Sequence, residues 1–100
     1  MKMAPLLAIT LGHFQRGEYI RAAEAAHKVI QSSPYWSLAY VALAATQAKL
    51  GKLGTAKSAA SQVLVYQPTF SISGLCAAFD LHLSLAAPLS EALRQAGLPE

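Results

Sequence analysis

The stretch between Trp36 and Leu50 carries two apolar stripes at helical spacing. Tyr40, Leu43, Ala44 and Gln47 form one, and Leu38, Val41, Ala45 and Ala48 form the other. A surface helix ordinarily shows one such stripe, so this segment predicts a helix covered on two sides. Comparable runs elsewhere are interrupted at Gly17, Pro34, Gly51, Pro68 and Gly97. Glycine closes a helix by taking the left-handed conformation, and proline ends one because it lacks the amide donor. Cutting the chain at these residues predicts six helices, at about 4–16, 19–33, 36–50, 53–66, 70–83 and 88–96. Residues 84–87 are expected to form the last turn, with Pro88 at a first helical position.

The breakers recur with a period of 34, as Gly17 with Gly51 and Pro34 with Pro68. Ala22 and Ala56 keep the same register, as do Ala26 and Ala60, and then Val29-Ile30 and Val63-Leu64. A period of this length fits one pair of antiparallel helices per unit, with small residues where the two cross. The predicted architecture is therefore all-α, a helix-turn-helix stack of two full units, 3–36 and 37–70, followed by an atypical pair or cap at 71–100. The 100 residues suit one domain.

These residues resemble the tetratricopeptide repeat. Tyr40, Leu43, Ala44, Ala56 and Pro68 occupy its signature positions in the second unit. His13 and Gln47 stand where that family prefers tyrosine, and Ala26 and Ala60 where it prefers a bulky aromatic. The resemblance implies a right-handed superhelix with the first helix of each unit on its concave wall. Over residues 17–100 the chain is also similar to the C-terminal repeat region of bacterial proteins built like class III adenylate cyclases, some relatives of which carry a winged helix instead. The residues that carry this likeness are Leu43-Ala44-Ala45, Leu50-Gly51-Lys52, the run from Pro68 to Ile72 and the run from Leu93 to Glu100. That second likeness implies an accessory, regulatory role and carries no cyclase chemistry onto any residue here.

In the repeat register the concave wall is apolar in all three units. It is expected to comprise Ala4, Leu7 and Leu11, then Leu38, Val41, Ala45 and Ala48, then Ile72, Leu75 and Phe79. Burying one Leu, Val or Phe gains roughly 1.5–3 kcal/mol, so a wall of this composition should be covered. No position among them offers a cation or amide to grip a peptide carboxylate, so a carboxylate clamp is not expected. The expected partner is a protein or peptide presenting an apolar, amphipathic helix, with a second copy of the chain as the alternative.

Composition supports this picture. Apolar residues make up 54% and charged residues 13%, which excludes a disordered tail. Alanine and leucine supply 35 of the 100 residues, favouring helices over sheet. The net charge of +3 falls short of a nucleic-acid footprint. Lys49, Lys52 and Lys57 read as a solvated corner, and salt-sensitive nucleic-acid binding there is a remote alternative. The uncharged stretches 29–48 and 58–79 are interrupted by Pro34 and Pro68, so no membrane segment is predicted. The lysine and apolar run at the start lacks a small-residue cleavage site before His13, and a first helix is expected instead of a leader.

Candidate chemistry is sparse. His13, His27 and His82 have no mutual ligand spacing, and the single Cys76 can form no internal disulfide, which points to a cytoplasmic setting. Gly51-Lys52 lacks the glycine and Ser/Thr frame of a phosphate loop. No catalytic, cofactor or metal residue is expected, and the predicted function is a non-catalytic interaction scaffold.

Overall fold

The computed structural model describes residues 5–79 and 83–99. Six helices run in order, α1 (Pro5–Gln15), α2 (Tyr19–Ser32), α3 (Ser37–Lys49), α4 (Leu53–Tyr66), α5 (Ile72–Phe79) and α6 (Leu83–Gln95), with no strand among the described residues. The chain is all-α.

The turns repeat as the sequence period requires. Gly17 and Gly51 both sit at positive φ, 79° and 78°. At the first, the Gly17 N–H donates to Phe14 O and the Glu18 N–H to His13 O. At the second, Gly51 donates to Ala48 O and Lys52 to Gln47 O. This is the Schellman closure, in which two amides beyond the helix satisfy carbonyls that its last turn leaves open. Gly97 closes α6 in the same way, with Gly97 N–H on Arg94 O and Leu98 N–H on Leu93 O, and both leucines are buried. The turns after α2 and α4 also match, since Ser33 donates to Val29 O as Gln67 donates to Val63 O, and Trp36 to Ser33 O as Phe70 to Gln67 O.

α1 pairs with α2 and α3 with α4, and α2 lies along α3 to join the two hairpins. Ala22, Ala26, Ala44, Ala56 and Ala60 are buried in one core with Leu43 and Val63. Alanines at these crossings let the helices meet without large side chains between them. α3 is the central helix: Ala39 and every residue from Val41 to Ala48 are buried, all round its circumference.

The last pair departs from the expected register. α6 begins at Leu83, so residues 84–87 are helical and Pro88 lies inside the helix. A proline there removes one backbone hydrogen bond and strains the turn before it, a cost of up to about 3 kcal/mol. Burial of Leu89, Ala92, Leu93 and Ala96 on one side of α6 offsets it. α5 starts two residues later than the sequence pattern suggests, because Ser71 acts as its cap: the Gly74 N–H donates to Ser71 Oγ at 3.1 Å. Among the described residues α5 does not lie along α4 as α3 lies along α2. The helix packed on α3 in its stead is α6, which also touches α1. The Ile72 N–H donates to Pro99 O at 2.9 Å, tying the end of α6 back to the start of α5.

Candidate functional site: the inner wall of α3

The residues expected on the concave wall divide into three groups. Val41, Ala45 and Ala48 are buried, in one cluster with Leu89, Ala92, Leu93, Ala96 and Leu98 from α6 and the residues after it. The apolar stripe that required a cover receives one from within the chain. Ile72 is buried in the same cluster. Leu11, Leu38 and Leu75 are half-buried against it. Ala4 lies outside the described residues, and the side chains of Leu7 and Phe79 lie outside those described.

Leu38 and Leu75 come together at the part of the wall that remains open. An open cavity of about 340 Å³ lies between the start of α3, the α4–α5 link and the first turns of α5. Its apolar lining comes from Trp36, Leu38, Phe70 and Leu75, and Ser37, Gln67, Thr69 and Ser71 supply polar atoms. The Ser37 hydroxyl donates to Gln67 Oε1 at 2.7 Å, tying the start of α3 to the end of α4 at the rim. Volumes of a few hundred Å³ accommodate one or two large side chains or a small ligand. Trp36 and Phe70 were not singled out for this wall from sequence. The signal was there, since they are 34 apart and each stands two residues after a repeat proline.

A tyrosine cluster lies at the same end of α3. The Tyr40 hydroxyl donates to Pro34 O at 2.8 Å, and the Tyr66 ring stands 5.6 Å from Tyr40 and 5.8 Å from Tyr35. Desolvation first, and then the neighbouring Tyr66 phenol, hold the Tyr40 hydroxyl above its ordinary range.

An ion-paired cluster lies on the α1–α2 turn. Glu18 Oε1 sits 2.7 Å from His13 Nδ1 and accepts from Arg16 Nε at 3.2 Å. The hydrogen bond with His13, then that from Arg16, holds the Glu18 carboxyl below its ordinary range. Lys49 is half-buried at the end of α3, Lys52 is exposed just before α4 and Lys57 is exposed on α4. Among the described residues no group of three or more His, Cys, Asp or Glu could hold a metal ion, and no helix is long and apolar enough to cross a membrane.

No family model matches the chain, and neither the curated proteins nor the solved structures contain a match.

Proposed function

We propose that the chain is a non-catalytic protein-interaction scaffold of the tetratricopeptide kind, receiving an apolar or amphipathic helical segment on its inner side. The observation that carries this reading is the open cavity joining Trp36 and Leu38 at the start of the α3–α4 hairpin to Phe70 and Leu75 just beyond its end. Its lining suits the bulky apolar side chain of a docked helix, with the exposed Ser37–Gln67 pair as a polar rim. The likeness over residues 17–100 extends the reading to an accessory, cytoplasmic module of a bacterial signalling or regulatory protein.

Trp36 is the single tryptophan, so its emission reports the cavity directly. A panel of synthetic amphipathic helices bearing Leu or Phe anchors, titrated into the full chain, should include members that shift this emission. Leu38→Asp, at a half-exposed position, should weaken their binding tenfold or more while leaving helicity unchanged. A panel that leaves Trp36 unmoved up to about 1 mM, where binding is weaker than about 4 kcal/mol, would overturn the reading.

Self-association is the second reading, and the exposed apolar side chains favour it. Ile20 is 69% exposed on α2 and Val65 64% on α4, with Tyr35 beyond α2 more open still. Light scattering across a concentration series separates the two, since a tight dimer whose mass collapses on Ile20→Asp or Val65→Asp points to self-association.

A further inference from the structure

α6 bears on how the proposed scaffold is controlled, a role that rests on the scaffold reading itself. The hairpins α1–α2 and α3–α4 are joined along α2 and α3, and Ala22, Ala26, Leu43, Ala56, Ala60 and Val63 lie in a buried cluster that Leu89, Ala92 and Leu93 of α6 extend. α6 is added to that stack from the side. It packs on α3, where the 34-residue register calls for α5. Its interior Pro88 leaves it one hydrogen bond short of a regular helix. The buried residues Leu89, Ala92, Leu93 and Ala96 stand at i, i+3, i+4 and i+7, the stripe of a helix laid in a groove. Glu91, Arg94 and Gln95 face away from it and are exposed.

We propose that α6 is a resident ligand of the inner wall: it masks Val41, Ala45 and Ala48, and it gives way to a partner helix with the same large-small pattern, Leu-x-x-Ala-Leu-x-x-Ala. The occupant is thus a helix of another protein that reproduces the apolar face of α6. Only a helix that outcompetes α6 gains the wall, so its apparent affinity is lowered by the fraction of chains in which α6 is docked. The small residues at the second and fourth positions matter because the wall is itself alanine-rich, and two alanine surfaces meet closely where leucines would be held apart.

A peptide spanning residues 83–99 tests this on the full, isotope-labelled chain. The peptide is unlabelled and identical to the seated helix. The expected result is that the α6 amide signals of the labelled chain move to undocked positions as peptide is added, while Val41, Ala45 and Ala48 keep theirs. Leu98→Ala, which weakens the seated segment at its end, should bring the displacement at a peptide concentration tenfold lower or less. A peptide with both Leu89 and Leu93 changed to Asp should leave α6 docked. Equal displacement by that control overturns the proposal, and so does an α6 that stays docked at millimolar peptide. Hydrogen exchange on the unaltered chain gives a reading free of any variant. α6 amides should open more readily than those of α3, and exchange of both helices only together would also overturn the proposal. Should α6 hold while Trp36 still reports helix binding at the open cavity, the scaffold reading stands and the exchange of α6 fails by itself.

Discussion

Gln47 shows how one residue can fit its helix and still misfit its surroundings. It is 5% exposed on α3, and its side-chain oxygen has no hydrogen-bond partner. A buried acceptor left unmade costs about 1–3 kcal/mol. Gln47→Leu removes it at similar volume and should raise stability by about 1–2 kcal/mol, read as a higher thermal midpoint. Thr46, its neighbour, avoids the cost by donating to Ala42 O at 2.7 Å. Val41 presents the reverse case. It is buried against an apolar cluster, so Val41→Asp would place a carboxylate there without a partner, at several kcal/mol. That is comparable with the whole stability of a small domain, and circular dichroism should show loss of helix at 25 °C. At the α1–α2 turn, Glu18 is stabilised in its charged form, since its folded value lies below the ordinary 4.5. A depressed carboxyl contributes stability that is present above its unfolded value and lost as pH falls through the folded one. The stability difference between the natural chain and Glu18→Gln should therefore be present at neutral pH and be lost as pH falls below the ordinary carboxyl range, as followed by denaturant unfolding.

At the scale of the element, glycine serves two different ends in this chain. Gly51 holds φ at +78°, and a Cβ there would meet nothing within 4 Å. The cost of Gly51→Ala is therefore conformational alone, about 1–2 kcal/mol. Gly12 lies inside α1, where a Cβ would make only ordinary contact with the Arg16 guanidinium. Gly12→Ala should stabilise by up to about 1 kcal/mol through helix propensity. Opposite signs for the two substitutions in chemical denaturation would check the assignment. The helices themselves were largely legible, since α1 to α4 start and stop within one residue of the breakers' forecast. Their ends are fixed by local chemistry: the φ of glycine, the missing donor of proline and the two carbonyls each Schellman turn satisfies. The sequence pattern predicts too short an α6 because a proline usually opens a helix. Here burial of the residues that follow outweighs the lost bond, and only packing could decide that.

At the scale of the molecule, the register shows where the stack stops. Ala23 is buried on α2, which α3 covers, whereas its counterpart one period later is the exposed Lys57 on α4. A lysine in that place keeps its charge in water and suits a flank that no further helix covers. The missing layer is supplied from the other side, by α6 over α3. Leu93 is fully buried in that layer. Leu93→Ala should cost about 2–5 kcal/mol, as core leucines do, measured as a drop in the denaturant midpoint.

By itself the sequence determined an all-helical chain, the 34-residue period, the two glycine closures and an apolar wall on α3 that had to be covered. Each of these depends on neighbours a few residues away or on composition. Tertiary structure alone decided that α6 packs on α3, that Trp36, Leu38, Phe70 and Leu75 share one cavity, and that the Gln47 side-chain oxygen is left without a hydrogen-bond partner. Those outcomes turn on which of several greasy faces meet. Helical periodicity marks a face as apolar, but any apolar surface of matching shape satisfies it, and the choice among them belongs to the folded chain as a whole.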